Sequence, residues 1–371
     1  MKFKKFFQNI FKKFFQLLFH IAYGRVKIIT NNSQIKLKRH FPEKILISNK
    51  EHKIENIIYE IPNARVYTDL IEHVAIIKDN IILPEVSYQQ VKGDLKGINY
   101  NKVLKSGTPR IKKKFKGNIL SLIQGASGNN FFHFLFDILP KIKIIQDTIS
   151  LNDIDYFFMP SNAKWQNNIL SKFDIPEDKI INSQKYRHIK ADKIYALDHP
   201  WYKKGFVQKE IINLPEWIIF FLRDKFLKYA KKFNNSEKIF IDRSDSSFLH
   251  CKLINNEEII KFLSENGFQS YQVSKLDFFE QVYLFNKAKV IIGPHGAAFS
   301  NIIFSNPGLE LIELIPKNHP SIKCDKISKI LNFNYKRINL DNSKKKEEKI
   351  IGDMKIEISL LKEILNSINK N

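Results

Sequence analysis

Two polar residues in an otherwise apolar run have the spacing of an acid–base pair. The run from residue 130 to residue 141 reads NFFHFLFDILPK, and a helix here places His133 and Asp137 four residues apart on one face. The carboxylate can then hold the imidazole in one tautomer and raise its basicity, which suits a general base that removes a proton from a hydroxyl. The alternative is that His133 is a satisfied polar residue at a domain interface and Asp137 an ordinary helix carboxylate.

A second candidate site lies in the run VIIGPHGAAFSN, from residue 290 to residue 301. A buried strand is predicted to end at Gly293, and a helix is predicted to begin at Ala297. The corner at Gly293, His295 and Gly296 would let the backbone pass close to a ligand, while the first helix amides, at Ala297 and Ala298, face it unpaired. Such a corner is an anion site, most naturally a phosphate site.

The elements around both runs alternate between strand and helix. In the second half of the chain, the pattern predicts strands at 238–243, 268–273, 290–293 and 309–315, and helices at 256–266, 276–288 and 297–304. In the first half, it predicts strands at 119–123, 155–159, 179–181 and 193–197, and helices at about 130–146 and 162–173. Ser274 is placed to cap the helix at 276–288, with Asp277 and Glu280 in its first turns. This alternation predicts parallel, doubly wound sheets that bind ligands at the carboxyl ends of their strands.

The domain organisation follows from these elements. We predict an α/β chain with two Rossmann-like domains, preceded by a β-rich segment and an N-terminal amphipathic helix. The boundaries are 1–24 for the helix, 25–117 for the β-rich segment, 118–214 for the first Rossmann-like domain and 215–371 for the second. Turn residues between 200 and 214 predict a hinge.

Two ordered blocks of residues resemble the glycosyltransferase family 61 proteins. The first block is the aromatic-His run at 130–141. The second block consists of IFIDR at 239–243, Lys252 before NNEE at 255–258, FEQ at 279–281, GPHGAA at 293–298, Pro307-Gly308 and Glu313. Together they cover roughly residues 118–316, which is far more specific than one Gly-rich turn. The resemblance implies a two-domain fold of the GT-B type and an inverting sugar transfer that needs no obligatory metal and no cofactor. It makes 118–214 the acceptor-side domain and 215–371 the nucleotide-sugar-binding domain.

Within this resemblance, the donor-binding residues have distinct roles. Arg243 and Lys252 are the candidate cations for the diphosphate, with the amides after Gly296 as neutral donors. His295 is placed to hydrogen-bond a phosphate or the sugar, or else it fixes the turn. Glu313 is placed to accept the ribose hydroxyls, or else it forms a surface ion pair. Many relatives carry two Arg where this chain has Cys251 and Lys252, and Lys cannot offer the bidentate fork of Arg.

A competing metal motif is Asp153-Ile154-Asp155, which has the Asp-x-Asp spacing of a divalent-metal site. It opens a predicted strand instead of ending one, and the preceding Asn152 indicates an ordinary turn. We therefore predict no metal at this position.

Composition limits the partners. The formal charge is +23, but the chain has no zinc-finger spacing, no RNP-like aromatic strand and no Arg-rich arm, so we predict no nucleic-acid partner. Attraction to anionic lipid or to diphosphate substrates explains the charge. Two cysteines give no disulfide framework, which favours a reducing cytoplasm.

The first 23 residues predict a basic amphipathic helix. Apolar residues recur at helical spacing from Phe3 to Ile21, while lysines and amides take the other face. Lys12 and Lys13 interrupt the apolar stretch that a spanning helix needs, so we expect the segment to lie on an anionic membrane surface at the cytoplasmic face. The alternative is that its aromatic stripe packs on the body of the protein.

These features together predict an inverting glycosyltransferase that moves a sugar from a nucleotide sugar, UDP-linked in our hypothesis, to a surface polysaccharide, a glycan or a lipid-linked acceptor. Two alternatives stay open. One is another group transferase of the same architecture, such as a polysaccharide pyruvyltransferase. The other is a non-catalytic, membrane-bound scaffold of polysaccharide assembly.

Overall fold

The structure is a computed structural model. It describes residues 2–28, 36–40, 45–47, 50–52, 56–68, 73–91, 93–123, 128, 130–160, 163–245, 251–341 and 352–368. The chain divides into two compact units, Met1–Val207 (unit 1) and Gln208–Asn371 (unit 2).

Helices occur along both units. Within the described ranges the α-helices are α1 (Lys2–Tyr23), α2 (Val103–Ser106), α3 (Phe131–His133), α4 (Leu139–Gln146), α5 (Lys164–Leu170), α6 (Val207–Glu210), α7 (Glu216–Leu227), α8 (Asn256–Glu265), α9 (Phe278–Lys287), α10 (Lys323–Leu331) and α11 (Ile358–Ile368). A π-helical turn, Phe134–Ile138, joins α3 to α4. The 3-10 helices are Pro84–Val86, Ile98–Tyr100, Leu151–Asp153, Ser171–Phe173, Glu177–Lys179, Ile211–Asn213, Val273–Lys275 and Ala297–Phe304. None of the described helices is both long enough and apolar enough to cross a membrane.

The strands of unit 1 are β1 (Lys27–Ile28), β2 (Lys36–His40), β3 (Ile45–Ile47), β4 (Lys50–His52), β5 (Asn56–Pro62), β6 (Arg65–Tyr67), β7 (Ala75–Lys78), β8 (Ile81–Ile82), β9 (Gln89–Val91), β10 (Asp94–Lys96), β11 (Lys113–Lys114), β12 (Asn118–Ser121), β13 (Tyr156–Met159), β14 (Ile180–Asn182), β15 (His188–Lys190), β16 (Lys193–Leu197) and β17 (Gly205–Phe206). The strands of unit 2 are β18 (Lys238–Ile241), β19 (Gln269–Tyr271), β20 (Val290–Pro294), β21 (Glu310–Pro316) and β22 (Asn334–Leu340). The prediction of an α/β chain is confirmed.

The sheet of unit 1 that contains β12 and β16 has the strand order β14-β13-β12-β16-β5-β2. Its first four strands are parallel, and their buried Ile, Leu and Phe side chains suit strands that are covered on both faces. Along the chain, these four strands follow the order 3-2-1-4, so the direction of strand addition reverses between β12 and β16. Ligands of such sheets bind at the carboxyl ends of the strands beside this reversal.

The β-rich segment shares its sheets with the strands that follow it. β5 pairs antiparallel with β16, and β2 pairs antiparallel with β5. A second sheet, in the order β1-β8-β7-β6-β15-β11, joins β6 to β15. Two smaller sheets have the orders β17-β10-β9 and β3-β4.

Unit 2 contains a parallel sheet in the order β19-β18-β20-β21-β22 among its described residues. In chain order this is 2-1-3-4-5, and the reversal falls between β18 and β20. Its apolar residues, including Phe240, Ile292 and Leu314, pack in one cluster with residues of α8 and α11. The predicted strands and helices of this half are confirmed, apart from two details of helix geometry.

The first detail is the start of α9. Asp277, not Ser274, is the N-cap, and its side chain accepts from the N–H groups of Phe279 and Glu280 at 2.9 Å. Glu280 accepts in return from the N–H of Asp277 at 3.0 Å, which completes a capping box. The second detail is that residues 297–304 form a 3-10 helix instead of an α-helix.

Candidate active site

The predicted acid–base pair forms in unit 1. His133 Nδ1 and Asp137 Oδ2 are 2.7 Å apart, and both side chains are almost completely buried. The helix that carries them begins after Asn130, whose side-chain oxygen caps the N–H groups of Phe132 and His133 at 3.0 and 3.5 Å. Because Asp137 accepts from Nδ1, a neutral imidazole keeps its lone pair on Nε2.

A π-helical turn follows His133 and contains Asp137. It covers Phe134–Ile138, directly before Pro140 in the first turn of α4. Proline has no N–H to donate to the carbonyl four residues earlier, and its ring clashes with that carbonyl. Widening the helix at this point relieves the clash, and such π turns occur frequently at functional sites.

The Asp137 carboxylate is held by more than His133. Trp201 Nε1 donates to Oδ1 at 2.9 Å, and His199 Nε2 lies 3.6 Å from Oδ2. Burial alone would raise the pKa of Asp137, but the His199 and His133 imidazoles and their hydrogen bonds hold it well below its ordinary range. The carboxylate therefore stays ionised at neutral pH and has one fixed orientation.

His199 supplies this support as a neutral imidazole. Its Nδ1 accepts from the backbone N–H groups of Trp201 and Tyr202, both at 3.4 Å, so its proton belongs on Nε2. Burial lowers its pKa to about 4, against the opposing attraction of Asp137. An N–H donor therefore faces the carboxylate without a second buried charge.

The topology of unit 1 explains why these side chains meet. His133 and Asp137 follow β12, whereas His199 and Trp201 follow β16, and the strand order reverses between these two strands. The predicted hinge at 200–214 differs from the structure at its start, since Trp201 and Tyr202 are buried within unit 1. Sequence reasoning missed both His199 and Trp201, although the polar-aromatic run DHPWY at the end of a strand was an available signal.

Lys141 is a further charged residue beside this pair. It is 1% exposed, and its Nζ lies 4.9 Å from the centre of the Tyr88 ring. Burial lowers its pKa to about 8, and the carboxylates of Asp137 and Asp198 oppose that change. The positive charge of Lys141 helps to balance the buried negative charge of Asp137.

The hydrogen bond from Trp201 predicts a measurable stability effect. We expect Trp201→Phe to lower the free energy of unfolding by about 1–3 kcal/mol, because a buried carboxylate loses a donor. Urea unfolding measures this, with Trp165→Phe as the matched control, since the Trp165 ring packs against Phe131 and Phe134. Equal effects of the two substitutions would show that the Trp201 hydrogen bond contributes nothing.

The predicted corner in unit 2 lies at the end of β20. Gly293 and Pro294 are the last residues of this central strand, and the backbone N–H of His295 donates to Leu314 O at 2.8 Å. A Cβ atom on Gly293 would lie 2.7 Å from Cβ of Ile241, so the close approach of β18 and β20 requires glycine here. The corner is therefore beside the strand-order reversal of unit 2.

Two cationic side chains converge on the carbonyl groups of this corner. Arg243 Nη1 donates to His295 O at 2.7 Å, and Lys323 Nζ donates to Gly296 O at 2.8 Å. A Cβ atom on Gly296 would lie 1.1 Å from Arg243 Nη1, so this glycine leaves the space that the guanidinium occupies. Ala297 and Ala298, both half-buried, begin the 3-10 helix, and their amides precede its first internal hydrogen bond. Positive charge and amide donors thus lie together, as an anion site requires.

Glu313 lies neither at an open ribose site nor in a surface ion pair, the two positions predicted from the sequence. It is 1% exposed, and its Oε1 lies 2.5 Å from His295 Nδ1 and accepts from Cys324 Sγ at 3.1 Å. Its Oε2 accepts from the Tyr335 hydroxyl at 2.6 Å. Both oxygens are therefore engaged inside unit 2, whereas a ribose contact or a surface ion pair needs an exposed carboxylate.

The charge states of this pair follow from burial and hydrogen bonding. Burial would raise the pKa of Glu313, but the hydrogen bond from His295 and those from Tyr335 and Cys324 outweigh it and lower the pKa to about 2. Burial lowers the pKa of His295, with Glu313 opposing. At neutral pH we assign an ionised Glu313 that accepts from a neutral His295, because a donated N–H suffices to hold the carboxylate.

The remaining predicted donor residue is Lys252. It is exposed, and its carbonyl accepts from the backbone N–H of Met354 at 2.7 Å. The nearby Asp242, at the end of β18, accepts from the side chains of Ser244, Asn256 and Gln272. A bond from the backbone N–H of Ser244, together with these side-chain bonds, lowers the pKa of Asp242 against the effect of burial.

The Asp-x-Asp motif lies at the opposite edge of the unit 1 sheet. Asp155 Oδ2 accepts from the backbone N–H of Asn118 at 2.7 Å, so it fixes the start of β12. A shallow cavity of about 450 Å³ lies here, lined by Lys116, Gly117, Asp155, Tyr156, Asp178 and Lys179. It lies at the amino ends of the strands, whereas ligands of such sheets bind at the carboxyl ends. Within the described ranges, no group of three or more His, Cys, Asp or Glu side chains could hold a metal ion.

The fold and the two clusters define an α/β protein that has a buried His–carboxylate pair in one unit and a basic corner in the other. Residues 131–312 match the sequence model of the family described as Glycosyltransferase 61. This match confirms the resemblance to glycosyltransferase family 61 over this segment. The match includes His133, Asp137 and the corner at 293–298, and it indicates a glycosyltransferase. No curated protein matches the chain.

Proposed function

We propose that the protein is an inverting, metal-independent glycosyltransferase that moves a sugar from a UDP-linked donor to a glycan or a lipid-linked acceptor. The observation that carries the proposal is the His133–Asp137 pair, locked by Trp201 and His199 beside the strand-order reversal of unit 1. A buried carboxylate that orients an imidazole is the arrangement of a general base. The family match supports the same class of reaction.

In this proposal, unit 1 activates the acceptor. His133 Nε2 takes the proton of the acceptor hydroxyl as its oxygen attacks the anomeric carbon of the donor. The new glycosidic bond forms on the face opposite the departing diphosphate, which inverts the configuration. Asp137 stabilises the imidazolium that results, and Trp201 and His199 keep Asp137 in place.

Unit 2 binds the donor in this proposal. Negative charge develops on the diphosphate as its bond to the sugar breaks, and preorganised donors stabilise it. Arg243 and the amides of Ala297 and Ala298 supply these donors, and Lys252 adds a point charge. Gly293 and Gly296 allow the close approach of the backbone. Glu313 acts indirectly, because it holds the His295 side chain in the corner.

Nucleotide binding tests this assignment directly. Thermal stability is measured with UDP, GDP and CDP in chelator, and a nucleotide at about 100 times its dissociation constant adds about 2.7 kcal/mol of stability. We expect stabilisation by UDP that Arg243→Ala abolishes. Lys289→Ala is the matched control, since Lys289 precedes β20 at its other end and pairs with Glu237 at the surface. Stabilisation by none of the three would contradict donor binding at the corner and favour the scaffold.

A further inference from the structure

The helix α1 has an apolar face that unit 1 does not cover. Among its described side chains, the large exposed apolar ones are Phe7, Ile10, Phe11, Phe14, Phe15, Leu17, Leu18 and Ile21. Successive helix residues are rotated by about 100°, so these residues occupy roughly one half of the helix surface. Phe11 is 65% exposed and Ile21 is 75% exposed, so the stripe does not pack on the body of the protein.

The other side of α1 attaches the helix to unit 1 at its last turn. The Tyr23 ring meets the His188 ring edge-on with centroids 5.1 Å apart, and the Tyr23 hydroxyl accepts from the backbone N–H of Lys112 at 3.1 Å. Arg65 Nη2 donates to the Tyr23 carbonyl at 3.3 Å. Tyr23 lies on the half of the helix away from the apolar stripe, so attachment leaves that stripe facing outward.

A basic segment lies at the point of attachment. Lys112 Nζ is 4.5 Å from the centre of the Tyr23 ring, and the side chains of Lys113 and Lys114 in β11 are exposed. Ile111 is 82% exposed, the highest value among the large apolar residues described. Burial and then the neighbouring charges of Arg65, Lys190 and Lys114 lower the pKa of Lys112, which reflects the density of positive charge at this end.

We propose that the apolar stripe of α1 is a docking surface for an anionic lipid bilayer, and that the basic segment Ile111–Lys114 at the base of the helix adds attraction to the headgroups. The helix carries five lysines between residues 2 and 13 and no Asp or Glu, so its charge matches anionic headgroups while its apolar half enters the acyl boundary. A second copy of the chain would bring the same positive charges together, which opposes self-association through this face. This surface is separate from the transfer site and goes beyond the proposed function.

Vesicle sedimentation of the full chain tests the docking surface. We expect the fraction bound to phosphatidylcholine vesicles to rise at least about tenfold when about 30 mol% phosphatidylserine is included, and to fall at high salt. Phe11→Glu with Phe14→Glu should reduce binding by about tenfold, because the helix half that enters the bilayer becomes charged. Lys113→Glu with Lys114→Glu should reduce binding and weaken its dependence on phosphatidylserine.

The matched control is Phe220→Glu, the same replacement at an exposed phenylalanine of α7 in unit 2. It should leave vesicle binding unchanged, and the thermal unfolding midpoints of all variants should equal that of the parent, since the altered side chains are exposed. At matched ionic strength, inorganic phosphate should release no more protein than chloride does, which distinguishes a bilayer surface from a phosphate site. Binding that ignores phosphatidylserine or survives the helix substitutions would overturn the proposal. So would a dimer, seen by light scattering, that Phe11→Glu with Phe14→Glu dissociates.

Discussion

Replacing His133 with alanine is expected to lower the turnover of sugar transfer by about 10²–10⁴-fold, the usual contribution of a general base. Nucleotide binding should be unchanged, because the residues assigned to the donor belong to unit 2. The measurement combines initial rates of sugar transfer with thermal stabilisation by UDP on the same preparation. Loss of turnover with intact donor binding supports the base and argues against the scaffold.

Two further variants separate catalysis from structure. Asp137→Asn should reduce turnover strongly, because the amide no longer fixes the Nδ1–H tautomer of His133 and leaves the Trp201 N–H with a weaker acceptor. Lys143→Ala is the matched control on α4, because Lys143 forms an exposed ion pair with Asp147 and has no part in the proposed mechanism. Full activity of His133→Ala would remove the base from the mechanism and leave His133 as a structural residue.

Replacing Glu313 with glutamine is expected to lower the free energy of unfolding by about 1–3 kcal/mol, because buried donors lose their acceptor. Three side chains donate to this buried carboxylate, and an amide nitrogen in place of one oxygen would face donors instead of accepting from them. Urea unfolding, with amide hydrogen exchange at β20 and β21 as the local probe, measures the loss. Glu237→Gln is the control, because Glu237 is exposed and pairs with Lys289 at the surface.

The same carboxylate predicts how stability depends on pH. Its pKa falls from an ordinary 4.5 to about 2 in the folded state, which corresponds to about 3 kcal/mol. A depressed carboxyl pKa contributes stability that is fully present above the unfolded value and is lost as pH falls from about 4.5 towards 2. His295 acts in the same direction, since the folded state keeps it neutral while the unfolded state binds a proton below its ordinary pKa. Glu313→Gln should flatten this acid limb, and an unchanged acid limb would contradict the assignment.

Several features of the fold could be predicted from the sequence because they depend on local patterns. The apolar runs at 119–123 and 290–293 are short and flanked by polar residues, and they alternate along the chain with segments whose apolar residues have helical spacing. Their identity as parallel strands could therefore be predicted without the tertiary structure. The four-residue spacing of His133 and Asp137 likewise fixed their contact, since a helix brings such residues onto one face.

Other predictions were wrong because a local sequence pattern allows more than one structure. Ser274 and Asp277 can both cap a helix, and the 3-10 turn at Val273–Lys275 decides that the helix begins after Asp277. The π turn after His133 depends on the strain from Pro140, which a regular helical pattern does not reveal. The prediction for Glu313 was a ribose contact or a surface ion pair. Its buried partners come from elsewhere in the chain, so no local pattern reveals them.

The sequence by itself determined the alternation of strands and helices, the His–Asp spacing and the Gly-Pro-His-Gly corner, because each depends only on residues that are close together in the chain. The tertiary structure decided which distant residues complete each cluster: Trp201 and His199 at Asp137, and Lys323, Tyr335 and Cys324 around the corner and Glu313. The physical reason is strand order. In unit 1, β12 and β16 are far apart in the chain but become neighbours where the order reverses, so side chains at their carboxyl ends meet. In unit 2, the partners of Glu313 come from α10 and from β22, which pairs with β21.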